Sequence, residues 1–327
     1  MKGINMKITK LDKASRIAIL DCMGAKPKES ILVISDVNKR KIGLSLFNNA
    51  VDLGFYALYV EMKPGKINGE EPPSHIAELM KQFDIVLCPT AKSLTHTDAR
   101  RNASAGGSRI ATFPGITEDV MIRGLGADYK KIAARTVKLQ KILEKGKEIR
   151  ITTALGTDIT FKIEGRKVLP SSGLFLKKGE SGNLPTGETY LAPVEGTANG
   201  LFIVDGSMAG LGLIKNTNIR IEVKNGYAEN ISGGTIAKKL AQMLDSVGRE
   251  ARNIAEFGVG TNDTARLSGI LLEDEKVMGT IHLALGNNKS MGGSVNVPIH
   301  LDGVIKKPTV FMDGKILMKN GKLLGLD

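Results

Sequence analysis

The sequence predicts two kinds of structure in one chain. Residues 1–146 read as an N-terminal α/β domain with a mostly parallel sheet, and residues 147–327 as a C-terminal strand-rich domain. Three observations carry this reading. Short apolar runs alternate with helical stretches in the first half, the pattern of βα repeats around a parallel sheet. After Gly146 helical periodicity nearly disappears and turn dipeptides take over. At 327 residues the chain is also longer than one small domain needs.

Taken in order, a first helix is expected over 10–22, with Gly24 as its stop. The runs ILVIS (31–35), YALYV (56–60), DIVLC (84–88) and RIATF (109–113) read as buried strands. Helical stretches near 39–53 and 73–82 lie between them, the second opened by Pro72 and Pro73. Residues 128–145 form the clearest helix. Asp128 can cap it, Ile132, Val137, Leu139, Ile142 and Leu143 make its apolar stripe, and Gly146 can end it. Beyond that point, 149–154 and 158–163 form a hairpin around Gly156-Thr157-Asp158. Asn225-Gly226 joins IRIEVK to YAENI, the strongest short hairpin signal, and Asp313-Gly314 and Asn320-Gly321 mark two further turns. One helix near 234–247 carries Ile236, Leu240, Met243, Leu244 and Val247 on one face.

Composition narrows the function classes. With 42% hydrophobic and 24% charged residues, the chain is neither a disordered tail nor a fibrous repeat. No apolar run approaches the roughly 20 residues of a membrane helix, so no membrane partner is expected. The start, MKGINMKITKLDKAS, lacks the apolar stretch of a signal peptide. Cys22 and Cys88 cannot build a disulfide framework and lack metal-ligand spacing. The expected location is the cytoplasm. The net charge of +12 raises the question of nucleic acid. The basic residues are scattered, however, as in Lys7, Lys10 and Lys13, then Lys39, Arg40 and Lys41, then Lys130 and Lys131. No aromatic residues interleave with them as a stacking platform requires, so no nucleic-acid partner is expected. GxGxxG, the P-loop, HExxH and GxSxG are all missing, which argues against dinucleotide enzymes, NTPases, common zinc proteases and serine hydrolases.

The candidate chemistry lies in the second half. His282 in GTIHLALG and His300 in VPIHLDGV sit in apolar strands, where an imidazole is costly unless its polar atoms have partners. Residues i and i+2 of a strand share a face, so His300 and Asp302 converge. They could do so as two ligands of one metal or as an ordinary His–Asp hydrogen bond. Glu188 lies in GNLPTGETYLAP and Glu256 in ARNIAEFGVGTN, the latter flanked by Ile254, Ala255, Phe257 and Val259. A buried carboxylate needs a cation, a strong donor or a raised pKa. Two Glu, two His and one Asp can hold two divalent ions about 3.5–4 Å apart, or can form a hydrogen-bonded core network. His75, after Pro72-Pro73, reads as structural or exposed. Ser93, Thr95, His96, Thr97, Asp98 and Arg100 precede a helix. Thr97 or Thr95 can cap that helix, or the cluster can reach across to close the active site.

Four stretches in order, GNLPTGETYLAP, NIAEFGVGTN, LLEDEKVMGTIHLALG and IHLD, resemble the dinuclear metallo-aminopeptidases typified by aminopeptidase T and aminopeptidase S, the thermophilic leucyl aminopeptidases. In the first half the resemblance is weaker and rests on THTDARRNA and RIATFPGIT. The resemblance implies an α/β domain beside a β-rich catalytic one, in a homodimer. It implies two divalent ions (Zn, Co, Mn or Mg) on Glu188, Glu256, His282, His300 and Asp302, and a metal-activated water that removes N-terminal residues from a small peptide substrate. Glu256 would also handle the proton. The family's tyrosine, seven residues after the first metal-binding histidine, is Lys289 here, which would act as an auxiliary electrostatic group. The chain is also shorter than the family's classical members. A related branch, the 2,5-dihydroxypyridine 5,6-dioxygenases, supplies the alternative. That branch cleaves a ring with one Fe(II), for which His282, His300 and Asp302 would be a two-His, one-carboxylate triad.

Overall fold

The computed structural model describes residues 8–326. The leading MKGINMK, part of the segment read above for its lack of an apolar stretch, lies outside the described residues. The chain divides into two compact units. One runs to Lys130 and takes back Gly173–Thr186; the other comprises Lys131–Ser172 and everything from Gly187 onward.

The first unit is built on a five-stranded parallel sheet, in the order Tyr56–Met62, Ser30–Asp36, Ile85–Cys88, Arg109–Thr112 and Ser181–Asn183. Ile31, Leu32, Val33 and Ile34 are all fully buried, as a central parallel strand covered on both faces requires. The first helix, Lys10–Ile17, starts in a capping box: the Asp12 amide donates to the Thr9 hydroxyl at 3.1 Å, and the Thr9 amide donates to the Asp12 carboxylate at 2.9 Å. It runs on as a π-helical turn, Ala18–Cys22, and Gly24 follows at φ +53°. Arg40–Asp52 and Ser74–Met80 form the other two expected helices.

The fifth strand of this sheet comes from far along the chain. Ser181–Asn183 reads SGN, three small polar residues with no hydrophobic signal, and only its pairing with Arg109–Thr112 makes it a strand. The expected boundary at Gly146 falls inside the second unit. The division lies in the first turn of the helix Tyr129–Leu143, because Leu139 and Leu143 belong to the second unit's core.

The second unit stacks two antiparallel sheets around one core. The eight-stranded sheet contains the hairpins foreseen from turn chemistry. Asn225 and Gly226 (φ 49° and 82°) join Ile219–Lys224 to Tyr227–Ser232, and Asp313-Gly314 (50° and 77°) and Asn320-Gly321 (46° and 81°) close two more. Positive φ at both positions is what a two-residue hairpin turn demands. Phe161 of this sheet packs against Phe257 of the other, with ring centroids 5.5 Å apart. The second sheet has seven strands, in the order Gly212–Leu213, Ser207–Met208, His300–Lys306, Thr280–Gly286, Ile254–Gly260, Glu188–Leu191 and Leu169–Ser171. Among the described residues no helix is long and apolar enough to cross a membrane.

Candidate metal centre

Strand alternation gives the seven-stranded sheet two different faces. Residues paired in register share a side: Tyr190 with Gly258 and His282, Glu256 with Ala284 and Asp302, and Gly286 with His300. Glu188, two residues before Tyr190, joins them. The opposite side carries Phe257, Val259, Ile281, Leu283, Leu285 and Ile305, all buried in the core.

A β-bulge makes this arrangement possible. Ile254 pairs with Leu285, but Glu256 pairs with Ala284, so the partner strand advances by one residue while this one advances by two. In a regular strand Ile254 and Glu256 would share a face. The extra residue, Ala255, leaves Ile254 in the core and turns Glu256 to the polar side. Gly258 serves the same face differently. A Cβ at this position would stand 2.0 Å from His282 Nε2, so the imidazole lies where any other residue would place its side chain.

The five predicted ligands draw together unequally. Glu256 spans both imidazoles, with Oε1 3.1 Å from His282 Nε2 and Oε2 3.2 Å from His300 Nε2. His300 Nε2 is also 3.4 Å from Asp302 Oδ1. His300 Nδ1 stands 2.7 Å from the Asn287 carbonyl; a carbonyl only accepts, so Nδ1 carries the proton and donates. Nε2 is then the nitrogen that faces the carboxylates, donating to them as imidazolium or offering its lone pair to a metal, the usual orientation of a metal-bound imidazole. Among the described residues, Glu256, His300 and Asp302 are the one group whose three donor atoms all lie within 4.8 Å of one another. His282 reaches this group through Glu256. Glu188 turns elsewhere: its Oε1 accepts from Lys276 Nζ at 2.7 Å, and its Oε2 is 3.7 Å from His282 Nε2 with no hydrogen-bond partner.

The residues fit a divalent cation. Ligand bonds of about 2.0–2.2 Å place neighbouring donors roughly 3.0–3.5 Å apart around an ion. The observed 3.2 and 3.4 Å separations from His300 Nε2 match this. Buried polar atoms are normally bonded, so the orphaned Glu188 Oε2 and His282 Nδ1 mark a face rich in donors that the protein leaves without partners. Imidazole with carboxylate suits first-row ions such as iron, manganese or zinc better than calcium.

Electrostatics point the same way. Burial would strip the proton from His282, but the Glu256 carboxylate outweighs it and lifts the pKa to about 9. Burial likewise opposes the charge on His300, and Asp302 and Glu256 overcome it. Burial pushes Glu256 and Asp302 up, yet the two imidazoles hold both below the usual carboxylate range. Burial lifts Glu275 to about 8. Burial would discharge the Lys276 ammonium, but Glu188 and Glu275 hold its pKa above the ordinary lysine value. The carboxylates therefore hold positive charge on both imidazoles near neutral pH, and a bound cation would take the place of those protons.

A family model described as NicX, 2,5-dihydroxypyridine 5,6-dioxygenase, matches residues 17–325. The chain belongs to this family. A 2,5-dihydroxypyridine 5,6-dioxygenase of Pseudomonas putida KT2440 is 22% identical over 246 residues, which cover 71% of this chain and 69% of the relative. The solved structure of the 2,5-dihydroxypyridine dioxygenase from Pseudomonas putida KT2440 has a TM-score of 0.83 at 16% identity, covering 98% of this chain and 99% of that one. Wild-type AmpT from Thermus thermophilus has a TM-score of 0.68 at 16% identity, covering 96% and 99%. At these identities both superpositions show a shared fold.

As a member of the NicX family the chain is an enzyme, and the family match corrects the expected aminopeptidase activity. The hydrolase reading, its small peptide substrate and the role of Glu256 in proton transfer to a peptide all fall with it. Lys289 is exposed, in the short 3-10 helix Lys289–Met291, and is not one of the three converging residues. Of the expected triad of His282, His300 and Asp302, the last two fall in the converging group with Glu256, and His282 adjoins it through Glu256. The first-half cluster from Ser93 to Arg100 resolves in part as a cap. The Thr97 hydroxyl accepts from the Arg100 amide at 3.2 Å and starts the helix Asp98–Ala105.

Sequence reasoning missed Tyr190, Lys276 and the Asn287 carbonyl. Tyr190 carried a usable signal, since Glu188-x-Tyr190 has the same i, i+2 spacing as His300-x-Asp302. Lys276 carried none, because a lysine in the acidic run EDEK reads as a solvated side chain.

Proposed function

We propose that this chain is a mononuclear non-haem iron dioxygenase that cleaves a hydroxylated nitrogen-containing ring of the 2,5-dihydroxypyridine type. The observation that carries the reading is the convergence of Glu256, His300 and Asp302 in a chain matched to the NicX family along nearly its whole length. His300 Nε2, Glu256 Oε2 and Asp302 Oδ1 would hold the iron. Iron bound there would supply the one-electron chemistry with dioxygen that a closed-shell ring cannot undergo alone.

The chain's own residues do the positioning. The Asn287 carbonyl fixes the His300 ring and its tautomer. His282 braces Glu256 from the far side and can hold a proton at Nε2, between Glu256 and Glu188. The apolar strands behind the site keep these side chains in one arrangement, so the ligand geometry is set before substrate arrives.

The test is anaerobic reconstitution with Fe(II), followed by oxygen uptake in the presence of 2,5-dihydroxypyridine. One O2 consumed per ring opened is the expected result. Iron bound at one per chain with no ring loss would sink this substrate class, and hydrolysis of amino-acid p-nitroanilides would restore the discarded reading.

A further inference from the structure

The polar face contains a cation of the protein's own. Lys276 is only 3% exposed, and its Nζ lies 2.7 Å from Glu188 Oε1 and 2.5 Å from Glu275 Oε2. Lysine is almost never buried to this degree unless paired. Glu256, His300 and Asp302 form one ligand group. A second ion about 3.5–4 Å from the first would have to recruit Glu188, the remaining carboxylate on the face.

Glu188 has only one oxygen left to offer. One oxygen is committed to the ammonium, and the other faces His282 at 3.7 Å. An ion drawn to Glu188 would sit beside a fixed positive charge. Displacing that charge would strand Glu275 as well, and a buried carboxylate that loses its partner is strongly destabilising.

We propose that Lys276 is the resident second cation of this centre, which holds Glu188 in place and limits the site to one divalent ion. The proposal rests on the metal-centre reading above and adds a reason why the stoichiometry is one. It also assigns a positioning role to a residue that touches none of the three converging donors.

The experiment counts metal rather than turnover. Chelator-treated protein is dialysed against Zn2+, a redox-inert probe, and zinc per chain is measured by elemental analysis. The wild type should hold one ion. The paired variant Lys276→Gln with Glu275→Gln, which removes the ammonium without stranding Glu275, should rise to two. Far-ultraviolet circular dichroism reports whether the variant is folded. Two ions in the wild type, or one in a folded variant, would overturn the proposal. The wild-type count stands even if the variant does not fold. A wild-type count of zero removes the metal centre together with this proposal, whereas one ion without ring cleavage removes only the assigned reaction.

Discussion

The two faces of the seven-stranded sheet are made from the same strands, yet they answer to different constraints. On one side Phe257, Val259, Ile281, Leu283 and Leu285 are buried among other apolar residues. Their identities matter through volume, since removing atoms from a packed core leaves a cavity. On the other side Glu256, His282, His300 and Asp302 are held by a few directed contacts of 3.1–3.4 Å, and Gly258 and Ala284 keep space open between them. Here identity matters through charge and donor geometry. One face therefore determines whether the unit folds, and the other what it binds.

The largest test of that division is His300→Ala. His300 is 31% exposed at its side chain and lies on the polar side, so the variant should fold. It should lose its metal, with ring cleavage falling more than the roughly 10–100-fold seen when only an outer partner of a ligand is removed. Elemental analysis beside circular dichroism reads both halves of the claim; a folded variant that keeps its ion would break the comparison. The converse is Phe257→Ala on the core side, where a fully buried ring is lost. It should cost about 3–5 kcal/mol in chemical denaturation, while the folded fraction still binds one ion. A variant that loses metal with unchanged stability would show that the faces are not separable.

Gly258→Ala probes the backbone shared by both faces. Its new methyl would meet His282 Nε2 at 2.0 Å. Displacing the imidazole should destabilise by about 1–3 kcal/mol, the usual range for overpacking, and weaken metal affinity in the same variant. Unchanged melting and affinity would mean that the imidazole moves aside freely.

The smallest effect concerns the segment beside the polar face. Glu195 accepts from the Ser294 amide at 2.7 Å and the Asn288 side chain at 2.9 Å, and it pairs with Arg166. Burial pushes its carboxyl up, but these bonds outweigh it and hold the pKa at about 2. A depressed carboxylate stabilises the fold above its unfolded pKa, near 4.3. That contribution is lost as pH falls from about 4 toward 2. Glu195→Gln should therefore lower stability at pH 7 and differ progressively less from the wild type as the pH drops through that window. Equal acid sensitivity in the two proteins would remove Glu195 from the account.

Much of this was legible in the chain. Alternation placed His300 and Asp302 on one face, and Asn225-Gly226, Asp313-Gly314 and Asn320-Gly321 all became turns with positive φ. The apolar runs of the first half became parallel strands in the expected places. The strand SGN at 181–183 was not legible, because its only reason to be extended is a partner some seventy residues away. Nor was the choice of activity: five residues compatible with two divalent ions are also compatible with one, and motif resemblance alone favoured the hydrolase branch.

The sequence by itself determined the two textures of the chain, the turns, and which side chains could meet on a strand face. These depend on local periodicity and on φ preferences that each residue carries with it. Only the tertiary structure decided the register slip at Ala255 that turns Glu256 toward His300, the placing of the His282 ring over Gly258, and the burial of Lys276 between Glu188 and Glu275. Each of these depends on which distant segment lies alongside, and a charge or a bulge acquires its effect from that neighbour rather than from its own position in the chain.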